Sequence, residues 1–411
     1  MIKSNEENQL IVALDVGTSK IAVIVSSVRP DGVQEVLGHG THSSKGLKKG
    51  VVVNIENTIQ AIQRAVEEAE LMTGRKIKDV YTGIAGSHIN SINSHGIAKV
   101  KDTEVSELDI ERVLEAARAI TLPSDQEVLH VIDQEYILDK QHEIKDPLGM
   151  NGVRLEVKVH IVTGAVAAAR NIVKCIKRCG LDVVQIILQP IASAKAVLTE
   201  DEGELGVCLV DIGGGTTDIA VIKNGSIRHT AVLPIAGDQI TNDIAVAFGT
   251  PIQSAEEIKK NHGMAIASMA SINEIIEIPV VSGREPKKIT TQALAQVIEP
   301  RITELFGQIK AELVRSKTAN EISSGIVITG GSSLLDGLEK LGKEVFDMPV
   351  RTGTPRGIDG LLEVVENPRY ATAVGLLKMA KEDLKNTNGP FDGNSISNIL
   401  KRMKHWFQGN F

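Results

Sequence analysis

The chain has little of what marks a secreted or membrane-spanning protein. Its three cysteines, Cys175, Cys179 and Cys208, form no even framework, which excludes a disulfide-stapled scaffold and points to reduced thiols in a reducing cytoplasm. Cys175 and Cys179 are one helical turn apart, but no histidine or further cysteine completes a metal-ligand set with them. No apolar run reaches the ~18 residues of a membrane span, and Met1 to Gln9 is polar, so neither a transmembrane helix nor a signal peptide is expected. There is one tryptophan, close to the end of the sequence. What remains is 411 residues with 42% hydrophobic content and a formal charge of -7. Such a chain can bury large α/β cores, and its length suggests roughly two or three domains. No nucleic-acid partner is expected.

Two glycine-rich loops of one design lie far apart in it. Asp15-Val16-Gly17-Thr18-Ser19-Lys20 follows the apolar run Leu10 to Leu14, and Asp211-Ile212-Gly213-Gly214-Gly215-Thr216-Thr217-Asp218 follows Val207 to Val210. Each then enters the same four residues, Ile-Ala-Val-Ile, at 21–24 and 219–222, and a tight-turn signal follows, Pro30-Asp31-Gly32 or Asn224-Gly225. This reads as two copies of a β-hairpin unit. A Walker loop or a Rossmann fingerprint sets its glycines between a strand and a helix. Here a second strand follows, which argues against both. A hairpin bend can still offer backbone N–H groups to phosphate oxygens, helped by the Thr18, Ser19, Thr216 and Thr217 hydroxyls, with Gly17, Gly213, Gly214 and Gly215 allowing close approach. Asp15 and Asp211, at the strand ends, suit a hydrated Mg²⁺, and Lys20 suits the β- and γ-phosphates. Two such loops facing across a cleft would hold one nucleotide.

The far end of the chain has a different character. Lys381 to Asn394 carries little that could pack and reads as a flexible linker with a reach on the order of 20 Å. On a helix, Ile396, Ile399, Leu400, Met403, Trp406 and Phe407 share one face, while Lys401, Arg402, Lys404 and His405 lie opposite or on the flanks. Residues 395–411 hold three cations and no acid in a chain that is otherwise acidic. Each cation gains about 1 kcal/mol near anionic lipid, and the apolar face adds partial burial. A membrane-surface helix that folds on binding is expected, effective when several copies act together.

Between these landmarks strands and helices alternate. Ile55, Ile59, Ile62, Val66 and Ala69 predict a helix over about 56–71, and Ser106-x-x-Asp109 predicts a capped one over about 107–120, ending before Pro123. A further helix is expected from about Ala165 to Gly180. Alternating Val153, Leu155, Val157, Val159 and Ile161 predict a strand. Gly325 to Thr329 reads as a strand entering Gly330-Gly331-Ser332 and then a helix, with exposed backbone suited to a flat base.

Asp15 to Lys20, Gln189-Pro190-Ile191-Ala192-Ser193, Asp211 to Asp218, Gly330-Gly331-Ser332 and the segment Tyr370 to Gly375 resemble, in order, the five nucleotide motifs of the actin/Hsp70/sugar-kinase superfamily. Within it, Lys48 to Asn54, Gly83 to Ile89 and Val297 to Arg301, with the linker and amphipathic end, resemble the FtsA family of bacterial cell-division proteins. The resemblance implies an α/β, actin-like two-lobed ATPase fold of duplicated RNase H-like domains, with an inserted subdomain replacing one of actin's outer subdomains. It implies ATP and Mg²⁺ as ligands, Glu256 and Lys259 at the ribose, and Gln189 where chaperones of the superfamily carry glutamate. An amide orients water but takes no proton, so turnover is expected to be slow or conditional.

The implied division places the first core with its phosphate loop at 1–84, the inserted, self-associating subdomain at 85–163, and the core's continuation at 164–200. The second core with its loop falls at 201–245 and its outer subdomain at 246–308, which in this family receives the C-terminal tail of the tubulin-like protein FtsZ, here with Arg301 and Glu304. The second core's adenosine motif falls at 309–360, a helix of the first lobe at 361–380, the linker at 381–394 and the membrane helix at 395–411. The resemblance thus implies partners of four kinds: the FtsZ tail, further copies of itself, anionic lipid and other division proteins. Alternatives are a chaperone-type or sugar-kinase ATPase and a type IV pilus assembly adaptor of the same superfamily.

Overall fold

The computed structural model describes residues 10–281 and 285–386. Strands Leu10–Val16 and Lys20–Val28 are apolar on both faces and almost wholly buried, as central strands are. They pair antiparallel from Leu10↔Ser27 to Val16↔Ile21. Gln34–Ser43 extends the sheet on one side, while Asp79–Ile84 and Asp182–Leu188 extend it in parallel on the other. The second hairpin repeats this plan. Val207–Ile212 pairs with Thr217–Lys223, Ser226–Leu233 joins on the outer side, and Ile326–Thr329 and Val350–Thr352 add in parallel. Both sheets therefore run meander first and parallel pair second, the mark of a duplicated unit.

Local chemistry sets the helices. Asn54 accepts from the Asn57 N–H and opens Ile55–Thr73, and Gly74 in the left-handed region closes it. The helix lies so close to the outer strand that a methyl on Gly40 would sit 2.0 Å from the Ala65 carbonyl oxygen. Helix Ala371–Asn386 crosses helix Gln189–Val197 equally tightly, with Gly375 against the Ala192 carbonyl. The expected helices over 107–120 and 165–180 are Glu107–Arg118, with its Ser106/Asp109 capping box, and Val166–Arg178.

A four-stranded sheet emerges between Asp79–Ile84 and Val166–Arg178. Its order is Asn90–Lys99, Arg154–Ala165, Gln126–Leu138, Gln141–Ile144. Leu155, Val157, Val159 and Ile161 pack with Val113, Leu114 and Ala117 of the covering helix. Alternation alone predicts a solvated opposite face, yet Glu156 and His160 are buried as well. The second lobe's strand Ser226–Leu233 covers part of that face, where His160 Nε2 meets Thr230 Oγ1 at 2.8 Å, and Glu156 is paired with His95 and Arg154.

Two expectations need correction. The segment 381–394 does not begin as a linker, because the helix continues to Asn386. Lys381 Nζ donates to the Gly32 carbonyl at 2.6 Å, Glu382 pairs with Lys195 at 2.9 Å and Asp383 accepts from the Tyr81 hydroxyl at 3.2 Å. Polar residues that look unpackable are held by polar partners on the first lobe. Likewise Gly330-Gly331-Ser332 does not enter an α-helix directly, since a 3₁₀ turn, Gly331–Leu334, precedes helix Leu338–Phe346. Residues 387–411, with the rest of the linker and the amphipathic segment, lie outside the described residues.

Burial pushes both His130 and His160 down to about 3. The unfolded chain protonates them near 6.5, so each destabilises the fold progressively as pH falls from about 6.5 toward 3. Between pH 7 and 5 the loss is about 2 kcal/mol per histidine. His160→Gln, which stays neutral, is therefore expected to lose less thermal stability over that interval than the unmodified chain. Equal losses in melting temperature would contradict the assignment.

Candidate functional site

The two bends are built alike and face each other. The Gly17 N–H donates to the Lys20 carbonyl and the Gly213 N–H to the Thr216 carbonyl, each at 3.0 Å. A methyl on Gly214 would lie 2.7 Å from Ser19 Cβ, and one on Gly215 would lie 2.7 Å from Thr18 Oγ1. The lobes thus abut where only glycine fits. Between them opens a cavity of about 550 Å³. Every residue expected at the nucleotide lines it, Gln189 included, except Thr217. The Thr217 side chain is buried and donates to the Ile235 carbonyl at 2.7 Å, so a backbone carbonyl of the following connection consumes the hydroxyl assigned to phosphate.

Charge defines the floor. Asp15, Asp211 and Asp218 are all buried, with Lys20 buried among them, its Nζ 3.5 Å from Asp15 Oδ2. Desolvation raises all three carboxyls above the usual carboxylate range. The Lys20 charge opposes it at Asp15, and the charges of Asp211 and Asp15 reinforce it at Asp218. Desolvation also lowers Lys20, which Asp15 opposes. Lys20 Nζ donates to the Arg369 carbonyl at 2.6 Å and lies 4.7 Å from the Tyr370 ring centroid. Ser193 Oγ donates to Asp211 Oδ2 at 2.6 Å, and Thr372 Oγ1 approaches the same oxygen at 3.3 Å.

Gln189 occupies the first position of its helix, and its Nε2 donates to Asp15 Oδ1 at 3.3 Å. Gly83 makes room for it, since a methyl there would lie 2.7 Å from Gln189 Cγ. At the other end of the cavity, Lys259 Nζ donates to the Gly237 carbonyl and Thr241 Oγ1 and pairs with Glu256 at 2.6 Å. Desolvation works against the Glu256 charge, but Lys259 and the hydrogen bonds outweigh it and hold the carboxyl low. Ser332 Oγ donates to the Gly213 carbonyl at 2.9 Å, tying the paired-glycine turn to the second bend.

Sequence reasoning missed Asp218 as a site residue. Asp218 Oδ1 is buried without a partner, and the residue lines the cavity. Its signal was present: when the two Ile-Ala-Val-Ile segments are aligned, Asp218 takes the place of Lys20, in a loop two residues longer. Asp238 and Arg369 also line the cavity and carried no comparable motif. Among the described residues no group of three or more His, Cys, Asp or Glu could hold a metal ion. Asp15 and Asp211 are hard oxygen donors of the kind that a hydrated Mg²⁺, which takes few carboxylates, would use.

Arg301 and Glu304 lie away from the cavity, on helix Thr291–Arg315. Arg301 Nε donates to Asp243 Oδ2 at 2.6 Å, Nη2 to Asp243 Oδ1 at 3.0 Å and Nη1 to Glu304 Oε2 at 2.6 Å. This bidentate clamp joins helix Thr291–Arg315 to helix Gly237–Phe248.

Comparison with known proteins agrees with this architecture. The family described as "Cell division protein FtsA" matches residues 208–375, and "SHS2 domain inserted in FTSA" matches residues 86–163. The cell division protein FtsA of Pseudomonas aeruginosa is 54% identical, over 99% of this chain and 100% of its own. Among solved structures, a PilM–PilN type IV pilus biogenesis complex aligns with TM-score 0.65 at 18% identity, over 90% of this chain and 97% of its own. MreB5 of Spiroplasma citri bound to ADP aligns with TM-score 0.55 at 17% identity, over 92% and 99%. The fold is the actin-like ATPase fold with an inserted SHS2 domain.

The close facing of the bends yields a direct expectation. Gly214→Val forces the Ser19 bend away, so the affinity for a fluorescent ATP analogue is expected to fall by about tenfold or more. Gly307→Ala in helix Thr291–Arg315, where a methyl meets nothing within 4 Å, serves as the control with affinity retained. Unchanged affinity in Gly214→Val would contradict the geometry.

Proposed function

The chain belongs to the FtsA family of cell-division proteins, and from that premise we propose that it is an ATP-binding, self-associating adaptor that anchors FtsZ to the inner face of the membrane. The observation that carries the nucleotide reading is the pair of matched bends meeting over one cavity with an acidic floor. That MreB5 of this fold was solved bound to ADP supports it. In this reading the N–H groups of both bends and the Thr18, Ser19 and Thr216 hydroxyls receive the phosphates. Asp15 and Asp211 would hold a magnesium ion through its waters, and the ion would offset the floor's negative charge. Lys20 supplies a buried cation at the floor, and Glu256 and Lys259 flank the ribose.

Gln189 orients a water but cannot accept its proton, so turnover is slow and nucleotide acts chiefly as a switch. It favours whichever lobe arrangement it binds more tightly. Filament formation multiplies one weak membrane contact and one weak FtsZ contact per subunit. Among the described residues no helix is long and apolar enough to cross a membrane, which suits peripheral attachment through residues 395–411. Arg301 and Glu304 lie on the subdomain assigned to the FtsZ tail, where Glu304 is exposed.

Deleting residues 395–411 is expected to abolish co-sedimentation with phosphatidylglycerol-containing vesicles and leave ATP binding intact. Trp406→Glu should approach the same loss by placing a charge on the apolar face. Retained sedimentation in both would remove the tail as anchor. Glu304→Lys is expected to weaken capture by an immobilised FtsZ C-terminal peptide by about tenfold without changing ATP affinity. Capture at full strength would exclude that helix surface.

A further inference from the structure

Strand Gln126–Leu138 of the inserted sheet touches both lobes within four residues. His130, fully buried, accepts the Leu188 N–H at Nε2 over 3.1 Å. Gln134 Nε2 donates to the Ile227 carbonyl at 2.9 Å. Leu188 ends a strand of the first sheet and is the residue immediately before Gln189. Ile227 belongs to the second lobe, in the strand paired with Thr217–Lys223, the segment that leaves the second bend. Ser91 Oγ donates to the Thr230 carbonyl at 2.8 Å and reinforces the second of these attachments. Around His130 the inserted sheet is continuous with the first lobe's core, for Leu129, Ile132 and Val162 belong to that cluster.

Leu188 lacks a side-chain cap, and Pro190 contributes no N–H to the first turn of the helix that follows. The Leu188 N–H bond to His130 thus joins the sheet pairing with Ile84 and the Asp15 contact in setting how the chain leaves the strand into Gln189. Removing that acceptor leaves a buried donor unpaired, which costs enough to reorganise the turn. The His130 ring is neutral, since burial holds its pKa near 3, so Nε2 keeps the lone pair the bond requires.

We infer that His130 is a positioning residue for Gln189, acting through the Leu188 amide, and that it makes the inserted subdomain a determinant of water orientation in the nucleotide cleft. The inference rests on the proposed role of Gln189. It also gives the inserted subdomain a physical route to the cleft. The same strand is bonded to the second lobe, so rotation of one lobe against the other pulls on the peptide that aims Gln189. His130 touches no ligand itself.

The test uses the full chain with His130→Leu, His130→Gln, Gln189→Ala and the double variant His130→Leu/Gln189→Ala. Gln at 130 can return an acceptor oxygen near the Nε2 position, and Leu cannot. Single-turnover phosphate release, with protein in excess of ATP, is expected to slow by about tenfold or more in His130→Leu. ATP affinity should stay within about threefold. His130→Gln should recover most of the rate. The double variant should be no slower than Gln189→Ala alone, because one residue acts through the other. An unchanged rate in His130→Leu, or an equal slowing with Gln189 already removed, overturns the inference. If Gln189→Ala itself changes nothing, the role of Gln189 fails instead. Should the unmodified chain show no turnover, ATP-dependent protection from amide exchange across 182–197 decides. Its loss in His130→Leu and return in His130→Gln support the link, and protection unchanged in His130→Leu overturns it.

Discussion

The rest of the molecule is arranged around a cluster of acidic side chains largely withdrawn from solvent at the floor of the cleft. Asp15, Asp211 and Asp218 are buried together with a single ammonium, Lys20, and desolvation raises every carboxyl in the group. Such a cluster is costly in an empty protein and becomes favourable once a cation and its anionic ligand complete it. The surrounding fold holds it in place. Ser193 and Thr372, from two crossed helices, supply hydrogen bonds to Asp211, and those helices approach only because Gly375 lacks a side chain against the Ala192 carbonyl. Gly214 and Gly215 bring the second bend against the first. Substitution at Gly214 or Gly215 acts on the contact between the lobes rather than on a single lobe's core.

The inserted sheet gives the cleft a second support behind it. It grows from the first lobe and hydrogen-bonds to the second through Ser91, Gln134 and His160. In a two-lobed switch, an element bonded to both sides resists their relative rotation and also registers it. The subdomain proposed above to mediate self-association thus also spans the two lobes that nucleotide would draw together. FtsA-family membership rests on identity along the whole chain, whereas likeness to PilM and MreB5 speaks to the fold alone.

Much of this was readable before any coordinates, for definite reasons. The hairpins announced themselves because Ile-Ala-Val-Ile recurs after each glycine loop, and repetition is visible without knowing the fold. The helix over 55–73 shows in the spacing of Ile55, Ile59, Ile62, Val66 and Ala69, and that over 107–118 in its Ser106-x-x-Asp109 cap. What escaped depends on distant partners. Asp218 reads as an ordinary strand residue until Asp211, opposite it on its own hairpin, and Asp15, from the other lobe, stand beside it. Thr217 looked like a phosphate ligand because the carbonyl of Ile235 that takes its hydroxyl is 18 residues away. Lys381 to Asp383 looked like linker because their partners, Gly32, Lys195 and Tyr81, lie far back in the chain. Arg301 is assigned from the sequence to the FtsZ tail, and its clamp on Asp243, which crosses between two helices, carries no local signal.

The central claim is that two hairpins from opposite lobes hold one magnesium nucleotide. Calorimetric titration of the full chain with ATP, first with Mg²⁺ and then with the ion chelated, tests it most directly. One site per chain is expected, weakened on the order of tenfold or more without the divalent ion. Two independent sites per chain, or an affinity indifferent to Mg²⁺, would contradict it.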